Sequence, residues 1–249
     1  MKLNFNKESV LGMFMKTSDP AFVETAGYSG MDFVILDMEH GPVNLTDMQN
    51  NVRAAQVSGT VPIIRVSKLC PQAISQALDI GSVGIQIPQI RNADEAKEAV
   101  KFAKFHPQGE RGICRFVRSA RYSSLAKADY FKSANEDSLV ILQLEGVESI
   151  DNLHEILKVE GIDIVFIGPY DLSQSLEVLG EVTHPKVIEA MEKIVASADE
   201  MNVKTGTFVD TPELLQLWKK AGVSYLAYSV DVGVFYEASR EIVEQFVTN

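Results

Sequence analysis

Asp37, Glu39 and His40 follow directly on the apolar run Phe33-Val34-Ile35-Leu36, and Gly41-Pro42 then ends any regular structure. An aspartate three positions before a histidine can orient an imidazole for general-base work in a turn. The same spacing also suits a histidine that bonds only its own loop. Arg65 closes a second apolar run, Val61-Pro62-Ile63-Ile64. A guanidinium there can hold a carboxylate bidentately or stabilise an oxyanion, or lie in a buried ion pair with Asp37 or Glu39. Gln143 and Glu145 end another such run, and Asp171 follows one more in Gly168-Pro169-Tyr170-Asp171-Leu172-Ser173. Two carboxylates on neighbouring strands about 4.8 Å apart suit a hard divalent cation such as Mg2+ or Mn2+, with water and substrate oxygens completing the shell. They suit helix caps as well, and Asp171 reads naturally as an N-cap.

Other candidates are weaker. Lys16 ends the first apolar run and could form a Schiff base; a solvated barrel lysine is the preferred reading. Arg111, Arg115, Arg118 and Arg121 crowd one stretch of an acidic chain. Salt bridges to acidic surface or to a neighbouring subunit account for them better than contact with an acidic substrate. His106 and His184 precede prolines and His154 sits on a helical pattern, so none of the three is placed in a site.

The elements that must position these groups are legible as β-rich apolar runs at 10–16, 33–38, 61–66, 83–88, 139–145, 163–168, 204–209 and 225–230. Several are almost continuously apolar, as buried parallel strands are. Helical patterns alternate with them, among them 92–105, 184–202 with Pro185 near its start, and 211–222 with a Thr-Pro cap signal. Eight strands alternating with helices in 249 residues are the arithmetic of an α/β fold of the (β/α)8 barrel type, read as a single domain over 1–249. An open doubly wound sheet is the runner-up, weakened by the lack of a GxGxxG after the first strand. The polar residues gather where strands end, and in such a barrel the C-terminal strand ends carry the chemistry. Residues 106–137 interrupt the rhythm with a helix and a long loop.

Net charge is −11, which disfavours nucleic acid or an anionic membrane as partner. The two cysteines, Cys70 and Cys114, form no metal or disulfide pattern. The first ten residues are too polar for a signal peptide, and no apolar run approaches membrane-spanning length. The expected location is the cytoplasm.

The stretches LDMEHGP, PIIRV, LDIGSVGIQIP, HPQGERG, QLEGVESIDNL, VEGIDIVFIGPYDLS and HPKV, in this order, resemble the HpcH/HpaI family of metal-dependent class II pyruvate aldolases across nearly the whole chain. The resemblance implies a (β/α)8 barrel with a swapped last helix, a homohexamer, and reversible retro-aldol cleavage of a 4-hydroxy-2-oxo acid to pyruvate and an aldehyde. It implies Glu145 and Asp171 as ligands of Mg2+, Mn2+ or Co2+. Gln143 would hold the pyruvate carboxylate with the backbone around Gly168, Pro169 and Tyr170. Arg65 would stand beside the enolate oxygen, His40 would be the general base with Asp37 as its partner, and Asp79 would reach the neighbouring subunit's site. Phe14 stands at the substrate where the family often has a tryptophan. Tyr170 is larger than is usual there, and the segment beginning at Arg111 is more basic; both put the aldehyde in question. The related citrate-lyase β-subunit and malyl-CoA lyases would need room for a CoA thioester, for which no adenine or pyrophosphate site is evident. A barrel kept only for binding is the non-enzyme alternative. The joint presence of Asp37, His40, Arg65, Glu145 and Asp171 speaks against it.

Overall fold

The computed structural model describes residues 2–248, so Met1 and Asn249 of the expected 1–249 domain lie outside the described residues. Eight parallel strands close into a barrel: β1 Val10–Met15, β2 Phe33–Asp37, β3 Val61–Arg65, β4 Gly84–Ile87, β5 Leu139–Leu144, β6 Ile164–Ile167, β7 Lys204–Val209 and β8 Tyr225–Val230. β1 pairs with both β2 and β8, which leaves no sheet edge. The expected runs at 204–209 and 225–230 match these bounds. The other six overshoot at their C-terminal ends by one residue, and those expected at 83–88 and 163–168 also begin one residue early.

Period-two alternation sorts the strand residues into two layers. Phe33, Ile35, Ile63, Ile141, Ile164, Phe166 and Tyr225 fill the barrel interior. Val34, Leu36, Ile64, Ile85, Val140, Leu142 and Val165 face the surrounding helices. Phe33 and Tyr225 stack across the interior with centroids 3.9 Å apart. Gly12 makes room for them, since a Cβ there would come within 2.3 Å of the Phe33 carbonyl.

The helices expected at 92–105, 184–202 and 211–222 form as Ala93–Ala103, Pro185–Glu200 and Pro212–Lys220. Asn92, His184 and Thr211 cap them with side-chain bonds to first-turn amides. The irregular stretch becomes a short 3-10 segment, Arg118–Ser123, followed by the helix Lys127–Asp137. The last helix, Asp231–Thr248, touches its own barrel through its first turns, where Phe235 meets Phe22 at 6.4 Å. Beyond that it leaves Ile242, Val243 and Phe246 exposed. No described helix is long and apolar enough to cross a membrane.

Candidate active site

In-register pairing of β2 with β3 sets Asp37 beside Arg65 at the C-terminal end of the barrel. Asp37 is fully buried, and its carboxylate is saturated. Oδ1 accepts from Arg65 Nε at 2.8 Å and from the backbone amides of Glu39 and His40 at 3.0 and 3.3 Å. Oδ2 accepts from Arg65 Nη2 at 2.7 Å and from Lys16 Nζ at 2.9 Å. Gly41 closes the turn above; a Cβ there would meet the Asp37 carbonyl at 2.3 Å. Burial alone would push the Asp37 carboxyl up. Hydrogen bonding and charge from Arg65, and then from Lys16, outweigh it and hold the group at about 2.

A carboxyl lowered from 3.8 to about 2 stabilises the fold fully above about pH 4 and loses that contribution as the pH falls to about 2. The contribution is on the order of 2 kcal/mol. Denaturant titrations of the wild type and Asp37→Asn should therefore differ most above about pH 4 and converge toward about pH 2. A difference constant over that range would disprove the assignment.

Arg65 Nη1 also lies 2.9 Å from Glu39 Oε2. That oxygen has no directed hydrogen bond, so the contact is one of charge rather than of aligned donor and acceptor. Burial raises the Glu39 carboxyl, with Arg65 opposing. The Arg65 guanidinium sits 4.7 Å above the Phe14 ring.

A second chain of bonds runs along β4 and β5. Gln86 Nε2 donates to Gln143 Oε1 at 2.7 Å, and Gln143 Nε2 donates to Glu145 Oε2. The other Glu145 oxygen accepts from the Gln89 amide at 2.9 Å. Glu145 is raised to about 7, chiefly by burial and further by the charges of Asp171 and Glu39, against the bonds from Gln143 and Gln89. A Cβ at Gly168 would meet Glu145 Oε2 at 2.8 Å and so displace the hydrogen-bonded carboxylate. Asp171 lies in the first turn of the helix Pro169–Ser175 and is exposed to the mouth. Among the described residues no three His, Cys, Asp or Glu side chains converge to hold a metal unaided. Glu145 and Asp171 nevertheless fit a hard cation that keeps waters and substrate oxygens in its shell. The raised Glu145 marks a buried carboxylate short of positive charge, which a divalent ion would supply.

Phe14, Lys16, Arg65, Gln143, Phe166, Gly168, Tyr170 and Asp171 share one cavity of about 320 Å³ at this end. Several expectations change in detail. The His40 imidazole is 62% exposed and 3.9 Å from Glu39, and Asp37 bonds only its backbone amide. Asp37 is therefore the anchor of Arg65 and Lys16 and does not orient His40, since its lone pairs are taken. Lys16 is ion-paired and not merely solvated. Gly168, not Asp171, is the N-cap, and its amide donates to the Leu144 carbonyl at 3.1 Å, so it is not free for a substrate carboxylate. Asp79 ends the helix Pro71–Asp79, away from the strand ends that carry the site, and pairs with Arg111 at 2.6 Å. Of the arginine cluster, only Arg111 forms a salt bridge among the described residues; Arg115 donates to the Ser123 and Leu125 carbonyls and Arg118 to the Ile80 carbonyl.

Three contributors were not placed in the site from sequence, and a fourth, Glu39, takes up the ion pair with Arg65 that its position allows. Gln86 orients Gln143. Asp231 accepts from the Lys16 and Thr17 amides at 3.0 Å. Asp210 binds the Tyr170 hydroxyl. Glu39 and Gln86 stood at strand ends and were legible as such. Asp231 and Asp210 act across 215 and 40 positions, a distance no local pattern encodes.

A closed parallel barrel that gathers carboxylates, an arginine and glutamines at the C-terminal ends of its strands defines a barrel enzyme. Residues 10–238 match the family described as HpcH/HpaI aldolase/citrate lyase, and the chain belongs to that family. It is 31% identical to the 2-dehydro-3,6-dideoxy-6-sulfogluconate aldolase of Pseudomonas putida over 233 residues, 94% of this chain and 91% of the relative. It is 31% identical to the 4-hydroxy-2-oxo-heptane-1,7-dioate aldolase of Escherichia coli over 237 residues, 95% of this chain and 90% of the relative. Among solved structures, an HpcH/HpaI aldolase/citrate lyase family protein from Burkholderia cenocepacia J2315 superposes with a TM-score of 0.92 at 29% identity, covering 97% of this chain and 96% of the other. The protein is a carbon–carbon lyase of the aldolase type.

Proposed function

We propose that the enzyme cleaves a 4-hydroxy-2-oxo acid reversibly to pyruvate and an aldehyde, with a divalent metal held by Glu145 and Asp171. The observation that carries this reading is that Asp171, Gln143 and Arg65 line one small mouth, with Glu145 behind it bonded to Gln143. Bound there, the metal would supply Lewis-acid stabilisation of the charge that develops on the oxo group. His40 takes the proton of the C4 hydroxyl. The C3–C4 bond then breaks, its electron pair passes to the pyruvate half as an enolate, and the C4 half leaves as the aldehyde. Protonation at C3 releases pyruvate. A guanidinium has five N–H donors; those of Arg65 not held by Asp37 and Glu39 serve the enolate oxygen. Gln143, turned by Gln86, keeps one amide hydrogen for the substrate carboxylate. The exposure of the His40 imidazole, whose Nε2 has only the Glu39 carboxylate at 3.9 Å beside it, supports its role as base.

Two measurements test this. Metal-supplemented enzyme incubated with 4-hydroxy-2-oxo acids should release pyruvate, and with pyruvate alone in heavy water should exchange the methyl protons. His40→Ala should lower cleavage roughly 10²–10⁴-fold while leaving metal affinity unchanged. Lost metal binding with chemistry intact at excess metal would remove His40 from the base role.

The same reading includes a cytoplasmic homohexamer in which the last helix is exchanged and Asp79 serves a neighbour's site. The exposed Ile242, Val243 and Phe246 support burial against another copy, as does the remoteness of Asp79 from its own strand ends. Nucleic acid and membrane are not partners in it.

A further inference from the structure

The aldehyde half of the substrate has its own wall, which none of the roles above uses. Phe14, Phe166, Phe208, Val230 and the Tyr170 ring line the mouth beside the proposed pyruvate groups. The rings contact one another: Phe14 with Phe166 and with Phe208 at 6.0 Å, and Phe208 with Tyr170 at 6.1 Å. Tyr170 donates its hydroxyl to Asp210, and that carboxylate completes the rim. Burial and the neighbouring Asp210 push the Tyr170 phenol up to about 12, so it stays a neutral donor.

Charge decides what such a wall accepts. The two cations lining the cavity, Lys16 and Arg65, are held by Asp37 and Glu39. Among the described residues no cation lies within ion-pair distance of Asp171 or Asp210. A metal would be shared with the oxo acid. A second carboxylate, sulfonate or phosphate on the aldehyde half would therefore meet Asp210 across an apolar floor with no partner, and like charges set together cost affinity steeply. The Pseudomonas putida and Escherichia coli relatives carry names that place a sulfonate or a second carboxylate on the substrate.

We propose that the Asp210 carboxylate, set over the apolar wall that the Tyr170 ring completes, determines specificity for an uncharged aldehyde of apolar or aromatic body. This rests on the aldolase reading above, and the experiment separates the two. Metal-loaded wild type is first tested for exchange of pyruvate methyl protons; no exchange overturns the aldolase reading and the specificity with it. With exchange present, pyruvate is offered with benzaldehyde, butanal and succinic semialdehyde. The neutral aldehydes should be favoured at least about tenfold in kcat/KM, and Asp210→Asn should narrow that preference about tenfold. Tyr170→Phe, which removes the hydroxyl from Asp210 but keeps the ring, should retain the preference for neutral acceptors. Equal or better use of succinic semialdehyde by wild type, or a ratio unmoved by Asp210→Asn, overturns the proposal while leaving the aldolase intact.

Discussion

Glu145→Gln is expected to reduce pyruvate release by about 10³-fold or more. Exhaustive chelation of the wild type should do the same, and Mg2+, Mn2+ or Co2+ should restore it. The amide keeps the shape of the side chain and its bond to the Gln89 amide but removes the charge that faces Asp171. The raised carboxyl adds a sign. Below about 7 a proton competes with the cation for Glu145, so metal affinity should fall about tenfold for each pH unit below that point and level off above it. Calorimetric titration of metal at several pH values measures this, together with the protons released. Full activity after chelation would move the enzyme to covalent catalysis, and borohydride trapping of substrate on Lys16 would name the residue.

Arg65→Lys is expected to cost about 10²–10³-fold in turnover although the charge is conserved. One ammonium cannot span both oxygens of Asp37, reach Glu39 and still face an enolate. Asp37, wholly buried, would be left with Lys16 and two backbone amides, so the fold should weaken by about 1–3 kcal/mol. Measuring turnover per folded molecule beside a denaturation curve separates the roles. A weakened fold with undiminished turnover would make Arg65 only the fastening of β2 to β3.

How much of this was written locally follows from where each signal lies. Continuous apolar runs such as Phe33–Leu36 and Ile164–Ile167 announce buried parallel strands, and the polar residues that end them announce the active face. Asp37, Arg65, Gln143, Glu145 and Asp171 were therefore readable with their strands. Their partnerships were not. Asp37 could serve His40 or Arg65 by spacing alone; the in-register pairing of β2 with β3 settles it for Arg65. The Gln86–Gln143 bond likewise depends on the order of strands around the barrel, which brings residues 57 positions apart into contact. The Tyr170–Asp210 pair depends on the neighbouring of β6 and β7, which brings the residue just after β7 against the helix that follows β6.

Asp231 has a consequence for how the protein is made. It binds the amides of Lys16 and Thr17, which lie more than 200 positions before it and leave the ribosome well ahead of it. Until it emerges, β8 has not closed against β1, and the loop that carries Lys16 toward Asp37 has no anchor. The nascent chain can collapse and pair its early staves, since those contacts are near in sequence. The reactive face becomes whole only when synthesis has passed residue 231. A chain not yet grown past residue 231 thus lacks the contact that fixes the backbone of Lys16 and Thr17.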